Sequence, residues 1–456
     1  MTFSLTEINN IIGFENYKSQ SEEDLIFKKI SIDSRSILPQ DLFIAIEGNN
    51  FDGHDFISDV IKKGVKAAIL NKEKEKIGPE NFTYWVVADT REAFQKLALY
   101  WRKKLNIPVV AITGSVGKTT TKEITGEIMK NMGKIKISSK NNNNEIGVAK
   151  TILDSTYEDK LLILEMGMRG IGQIENLSKF SEPDIAVITN IGTSHIGLLG
   201  SKINIARAKC EIVKYLNPKG VVIIPSDDFL LEKTLNNLWK GRILKINIFK
   251  NKENEGNDCD KKNLLLGIYD ELRDLIIIDN KVFQISYKGI HNVFNFLFAY
   301  AISQEFGIKF NSYNSFNIKN LEGRNRIIKK NKAIILDETY NASPESVKAC
   351  IAFLLKFPGN HFLVLGSMKE LGKMSTQYHL EILNLINEVD IECCVFICDL
   401  NEEESIKEKF SSQKVIFKND KSDIAKIINS RINKNDYLLI KGSRHWKLEE
   451  IIPYII

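Results

Sequence analysis

The stretch AITGSVGKTTTKE, residues 111–123, constrains this chain more than any other. An apolar run, PVVAIT, leads into two glycines, a lysine and three threonines. Beyond them Ile124, Ile128 and Met132 recur every four positions until Gly133 can end the pattern. That order predicts strand, glycine turn, helix. Amides of the turn and of the helix N-terminus would then form an anion cradle, with Lys118 reaching outer phosphates and the Thr119 hydroxyl taking a magnesium ion. Only Ser115 and Val116 separate Gly114 from Gly117, whereas the common nucleotide-triphosphatase loop has four residues there. The junction reads either as a phosphate loop of another spacing or as a strand-to-helix turn with a surface lysine.

Short apolar runs at helix-length intervals extend the pattern. LLILEMG (161–167) and DIAVITNIG (184–192) carry polar residues just past their carboxyl ends, where open parallel sheets place ligands. Glu165 stands at one such end and His195, in TNIGTSH, past the other. Taken alone, Glu165 is a magnesium ligand or a helix-capping carboxylate, and His195 a nitrogen contact to an ion or a plain turn histidine. Around 218–290 the runs become VVIIP, RILKINIF, LIIID and KVFQISY, with KNKENEGNDCDKKN between them as a solvated loop.

From about residue 320, AIILDE (333–338), HFLVLG (361–366), CCVFIC (393–398), KVIF (414–417) and YLLIKGS (437–443) predict a second parallel sheet with covering helices. Ahead of the glycine loop a strand DLFIAIEG (41–48), a helix through FISDVIKKGV, a strand AAIL and an amphipathic helix REAFQKLALYWRKKLNIP are expected, the last broken by Asn106 and Pro108. A chain of 456 residues exceeds one ordinary core. The fold class is therefore α/β in three domains: a small mixed α/β domain (1–105), a central P-loop ATPase-like parallel-sheet domain (106–319) and a Rossmann-like domain (320–456).

Composition removes several function classes. A net charge of +5, with lysines scattered along the chain, demands no nucleic acid and supports only a mild pull on anionic small molecules. The cysteines Cys210, Cys259, Cys350, Cys393, Cys394 and Cys398 form no CxxC pair, which suits a reducing compartment and argues against structural zinc. No run approaches the ~18 apolar residues of a membrane span, and MTFSLTEINN lacks the basic and apolar regions of a leader. A cytosolic protein is expected.

ITGSVGKTTTKE resembles the TG-x-x-GKTT loop of the Mur ligase family, which has this shorter glycine spacing. The resemblance continues in family order through NNNNEIG (141–147), LEMGMRGIGQI (164–174), TNIGTSHIGLLGS (189–201), ARAKCEI (206–212), GIHNVFN (289–295), EGRNRI (322–327), LDETYNASPES (336–346), LGSMKELG (365–372) and KGSRHWKLEE (441–450). It covers nearly the whole chain. SIDSRSILPQDLFIAIEGNNFDGHDFI (31–57) is similar to the nucleotide-sugar domain of these ligases. YNASP, GSMKELG and KGSRHWKLE look like the members that add D-alanyl-D-alanine to UDP-N-acetylmuramoyl-tripeptide, and the DNPR element of the diaminopimelate-adding relatives is not found.

The resemblance implies a cytoplasmic, monomeric bacterial ligase of peptidoglycan precursor synthesis, using ATP and Mg2+ without membrane insertion. It implies that Gly114, Ser115, Val116, Gly117, Lys118, Thr119 and Thr120 surround the ATP phosphates, and that Thr119, Glu165, His195 and Lys209 attend the metal. Asn295 would lie near the adenine, and Arg324, Asp337 and Tyr340 near ribose or phosphate. Ser34, Arg35 and Gly48 would meet the uridine diphosphate, and Asn341, Ser343, Lys441, Ser443 and Arg444 would lie on the amino-acid side. Lys118, Glu165, His195 and Lys209 would carry the catalysis, with Lys209 as the family's carbamylated lysine. Without the resemblance, Lys209 is a helix-surface residue pairing with an acid. A carbamate would reverse its charge and offer oxygens to magnesium.

Some positions depart from the family. Asp337 and Glu338 stand for paired aspartates, Ser367 for an aspartate, Gln40 for a glycine, and Ala149 and Lys150 for a proline and an apolar residue. The loss of a carboxylate at Ser367 bears on how the acceptor amine is held. Other readings stay open: another Mur-type carboxylate–amine ligase, such as the tripeptide synthetase, a folylpolyglutamate synthetase-like enzyme, or a non-catalytic nucleotide-gated scaffold. Residues 31–57 favour a UDP-sugar over folate.

Overall fold

The computed structural model describes residues 2–13, 17–18, 25–48, 50–71, 82–139, 141–249, 263–318 and 322–456. The charged stretch 250–262, expected as a solvated loop and holding Cys259, lies outside them, as do residues 319–321 at the expected start of the third domain.

The first domain is a five-stranded sheet in the order Tyr17–Lys18, Thr83–Val87, Ala67–Asn71, Asp41–Ile44, Lys29–Ser31, parallel except at Tyr17–Lys18. The strand expected over 41–48 stops at Ile44. Gly53 folds back to donate its amide to Ile46 O, and a Cβ on Gly53 would lie 2.7 Å from Ile46 N, so the chain must turn out of the sheet there. The helix Thr90–Leu105 follows, capped by Asp89, and ends at left-handed Asn106. Its Trp101 donates to Ser155 O (3.0 Å) and its Arg102 to Ser181 O (2.9 Å), so this helix is the joint to the central domain.

The central sheet has ten strands, and the run from Lys134–Ile137 to Leu264–Asp270 is entirely parallel. The phosphate-loop strand Val109–Thr113 sits between Asp159–Glu165 and Ile185–Ile188, all five of its residues buried. The shorter runs expected over 218–290 belong to this same sheet. Three of its strands were not read from sequence: Lys134–Ile137, whose lysines mask the apolar pattern, Leu264–Asp270, which begins just past the charged stretch, and the short, largely polar Tyr313–Phe316. Met132 lies in a 3-10 turn, Lys130–Met132, after the helix Lys118–Met129.

The third domain is a six-stranded sheet in the order Arg326–Lys329, Ala333–Glu338, Asp436–Lys441, His361–Gly366, Cys393–Ile397, Val415–Phe417, parallel except at its first strand. Cys210, Cys350, Cys393, Cys394 and Cys398 are free and buried. No helix among the described residues is long and apolar enough to cross a membrane.

Candidate active site

A cavity of about 1500 Å³ opens where the carboxyl ends of the central and third sheets meet. The phosphate loop forms one wall. Gly114 and Gly117 have φ of 148° and 87°, in the region that glycine tolerates and other residues resist. A Cβ on Gly114 would lie 1.8 Å from Thr189 Oγ1, and one on Gly117 would lie 2.5 Å from Asn295 Oδ1. Ser115 N donates to Asn190 O and Val116 N to Asn190 Oδ1, so these two amides hold the loop's shape. The cradle is left to the helix start, where the amides of Gly117, Lys118, Thr119 and Thr120 have no intrahelical partner.

Gly114→Ala is therefore expected to raise the KM for ATP about tenfold or more, since a strained φ and a displaced neighbour each cost about 1–3 kcal/mol. The added methyl must push out Thr189, whose hydroxyl otherwise bonds Val116 O at 2.5 Å. Thr189→Ala on that background should recover part of the loss in an ATP titration.

Lys118 Nζ rests on its own loop, donating to Gly114 O (2.7 Å) and Ser115 O (3.2 Å). Burial and the nearby Arg324 pull its ammonium below the ordinary lysine value, against the attraction of Glu165. Thr119 Oγ1 donates to Glu165 Oε2 (2.8 Å), and Asn143 Nδ2 donates to Glu165 Oε1 (3.0 Å). Lys122, fully buried, lies 3.6 Å from the same carboxylate and donates to Ser138 O. Burial alone would raise the Glu165 carboxyl, but Lys122, Lys118, Arg324 and the Asn143 bond outweigh it and hold it below the usual range. Glu165 is thus a buried anion beside a hydroxyl, and it caps no helix.

Lys209, on the helix Lys202–Cys210, lines the cavity at 2% exposure. This overturns the reading of a surface residue paired with an acid. Among the described residues no hydrogen bond or ion pair meets its Nζ; burial, and then the charge of Lys118, pull the amine well below the ordinary lysine value. His195, at φ 67°, also lines the cavity. Its Nδ1 lies 2.5 Å from Glu370 Oε2 of the third domain, an off-axis contact and not an aligned hydrogen bond.

On the opposite wall, Asn295 accepts from Thr121 Oγ1 and donates to Asn292, which bonds Asn325. The Arg324 guanidinium lies 3.8 Å over the Tyr340 ring, and the Tyr340 hydroxyl bonds Asn141. Asp337 is not at the cavity. Successive strand residues face opposite sides, and Asp337 turns away to accept from Thr339 N and Oγ1. Glu338 faces in instead, accepting from Asn325 N (3.0 Å). Burial raises its carboxyl above the usual range, although Lys441, Asn325 N and Arg324 pull the other way.

Asn341, Ser343 and Lys441 line the cavity, with Lys441 Nζ donating to Asn341 O (3.0 Å). Ser443 sits behind Asn341, and exposed Arg444 pairs with Glu449, off the cavity. Ser34, Arg35 and Gly48 lie apart, on the first domain. Arg35 pairs there with Asp33 (2.8 Å), Lys63 Nζ binds the Ser34 and Arg35 carbonyls, and Gly48 N donates to Phe51 O. The carboxylate absent at Ser367 returns from elsewhere in the chain: the buried Ser367 hydroxyl donates to Glu402 Oε2 (2.8 Å), which also accepts from Lys369.

Sequence reasoning assigned no role to Asn143, Asn292 or Lys122. Asn292 and Asn295 are one helical turn apart, and Lys122 falls one turn after Lys118, so their spacing carried a signal. Glu402 carried none.

A phosphate-loop nucleotide site shared between two parallel sheets, with a separate small domain ahead of it, defines a three-domain ATP-dependent ligase architecture. Family models agree along the chain: "Mur ligase family, catalytic domain" matches residues 27–109, "Mur ligase middle domain" residues 112–303, and "Mur ligase, glutamate ligase domain" residues 323–444. The chain belongs to the Mur ligase family. It is 33% identical to the UDP-N-acetylmuramoyl-tripeptide--D-alanyl-D-alanine ligase of Bacillus subtilis, covering 95% of this chain and 94% of that one. It is 32% identical to the ligase of the same name from Synechocystis sp., covering 95% and 93%. The crystal structure of MurF from Acinetobacter baumannii superposes with a TM-score of 0.85 at 26% identity, over 99% of this chain and 98% of that one.

Proposed function

We propose that this chain joins D-alanyl-D-alanine to UDP-N-acetylmuramoyl-tripeptide at the expense of ATP, in peptidoglycan precursor synthesis in the bacterial cytoplasm. The observation that carries the reading is the shared cavity. It brings Lys118, Glu165 and Lys209 of the central domain to Glu338, Asn341 and Lys441 of the third, in a chain similar over almost its whole length to relatives of that name.

The tripeptide carboxylate attacks the γ-phosphorus of ATP, forming an acyl phosphate and releasing ADP. The free amine of D-alanyl-D-alanine then attacks that carbonyl, and the tetrahedral intermediate expels phosphate. Carboxylate oxygen leaves poorly and phosphate leaves well, so no protein nucleophile is needed. Lys118 shifts from its own loop carbonyls to the phosphates, where its charge offsets what develops on the transferring oxygens. The walls from both sheets exclude water from the acyl phosphate.

Magnesium suits the donors present. The Thr119 hydroxyl and the Glu165 carboxylate are hard oxygen donors held side by side, and phosphates and waters complete such a shell. His195 and a modified Lys209, which line the same cavity, would be the further protein contacts to the ion. When bound, the ion supplies charge stabilisation on the phosphoryl oxygens. Lys209 fits the modification. Its amine is buried, which disfavours the protonated form; the free amine would attack the carbon of CO2 and lose a proton, leaving a carbamate anion. His195 steers the ion's surroundings and the docking to Glu370. The uridine diphosphate is assigned to Ser34, Arg35 and Gly48, where Arg35 exchanges Asp33 for the anion, and the dipeptide to Asn341, Ser343 and Lys441, with Ser443 and Arg444 shaping that loop. The adenine and ribose fall to Asn295, Arg324 and Tyr340, with Glu338 in the role expected of Asp337.

The test is phosphate release over a grid of UDP-muramoyl tripeptides ending in diaminopimelate or lysine and of D-amino-acid dipeptides, with product masses determined. D-alanyl-D-alanine is expected to join one tripeptide form. Failure to join either refutes the reading.

A further inference from the structure

We propose that Glu345 is a positioning residue that couples docking of the third domain to the shape of the phosphate loop. The proposal rests on the ligase reading above. Glu345 is the second residue of the helix Pro344–Leu354, in the third domain. Its two oxygens clamp one residue of the central domain: Oε1 accepts from Thr193 N (2.9 Å) and Oε2 from Thr193 Oγ1 (3.0 Å). Thr193 is 1% exposed, whereas Glu345 is half-buried at the cavity wall, so both bonds are partly shielded from water. Bonds to a carboxylate are the stronger kind, and the helix N-terminus favours the negative charge.

What Thr193 is attached to matters more. Gly192 lies pressed between the two domains: a Cβ there would sit 3.1 Å from Glu345 Cδ and 3.2 Å from Ser115 Cβ. Its amide donates to Ser115 Oγ (2.8 Å), inside the phosphate loop. Two residues earlier, Asn190 accepts from the Ser115 and Val116 amides and donates Nδ2 to Val116 O. The strip 190–193 is therefore a bracket with one side bonded along the phosphate loop and the other held by Glu345. The neighbouring docking contacts, His195 with Glu370 and the Gly197 amide with Glu370 O, lie further along and do not touch the phosphate loop. Gly197 and Gly372 meet backbone to backbone there, which sets how near the domains approach but not the loop's shape.

The clamp exists only while the third domain is docked as here. ATP can load onto the central domain without it, whereas phosphoryl transfer needs the loop and the opposite wall in register. Glu345→Ala is expected to lower kcat about 10- to 100-fold, the loss of two bonds to a charged group, with ATP affinity in the absence of other substrates changed less than about twofold. Thr193→Val, which removes the hydroxyl bond but keeps the backbone amide bond, should lose less, and the double variant should be no worse than Glu345→Ala, which already removes both bonds. Thr193→Ser, which keeps the hydroxyl, should restore kcat. A second readout needs no turnover: by small-angle X-ray scattering with a non-hydrolysable ATP analogue and UDP-muramoyl tripeptide, Glu345→Ala should be more extended than wild type.

An active wild type with an unchanged Glu345→Ala kcat overturns the proposal. So do additive losses in the double variant, ATP affinity falling in step with kcat, or identical scattering of the two proteins. Inactivity of the wild type on every tripeptide and dipeptide refutes the ligase reading instead, and the scattering comparison still decides the clamp.

Discussion

Lys118→Ala is expected to abolish ADP and phosphate release with all three substrates present, by about 10³-fold or more in kcat, the scale of losing one preorganised charge partner of a transition state. Three features of the structure make the effect this large. The amine sits on the carbonyls of Gly114 and Ser115, within the loop that would wrap the phosphates. Arg324 reaches the site from the third domain, but its guanidinium is stacked on Tyr340, so it is not free to replace the lysine. The lysine's position, half-buried in the cavity wall, limits screening by water, which makes each unit of charge count for more. The variant loses only two side-chain bonds, so its melting temperature should stay near that of wild type. Near-normal turnover would sink the phosphate-loop assignment.

Lys209 variants should separate activity from stability in opposite directions. Lys209→Ala is expected to lose about 10²- to 10³-fold in kcat, as removal of a charge-bearing ligand group does, and to recover part of it when a small carboxylate such as acetate is added. The carboxylate would enter the space left by the side chain and restore the missing oxygens. Full activity without rescue would remove the carbamate assignment.

The stability effect follows from linkage. The folded-state pKa of Lys209 lies below its unfolded value, so the unfolded chain takes up a proton that the folded chain resists. The stability tied to this group is complete above the unfolded lysine range, about 10.4, and is lost as pH falls below it toward the folded value. At neutral pH in CO2-free buffer the unmodified lysine is therefore a burden. Lys209→Met keeps the volume and removes the ionisable group, so it should melt at a higher temperature than wild type there. Dissolved CO2 should narrow the gap by stabilising the wild type alone. A melting temperature for Lys209→Met at or below that of wild type in CO2-free buffer would show that the buried amine carries no such penalty.

Where chemistry depends on neighbours along the chain, it was legible in advance. A run of apolar residues ending in Gly-x-x-Gly-Lys-Thr can do little but leave a sheet edge and start a helix, because the glycines alone accept the backbone angles seen there. The same local logic placed five of the six strands of the third sheet, all but the exposed antiparallel Arg326–Lys329, and the polar residues beyond their ends. It failed at Lys134–Ile137 and Leu264–Asp270, where lysines and an adjoining charged run hid strands that earn their place by pairing with neighbours.

The sequence by itself determined that three α/β units occur in this order and that a phosphate loop opens the second. Tertiary structure alone decided which of the adjacent acids faces the cavity, because strand register sends Asp337 one way and Glu338 the other. It decided that Lys209 is buried, that Glu402 brings a carboxylate to Ser367, and that Glu345 reaches Thr193 from 152 residues away. Burial and charge pairing depend on which surfaces two sheets present to each other, and no local periodicity encodes that.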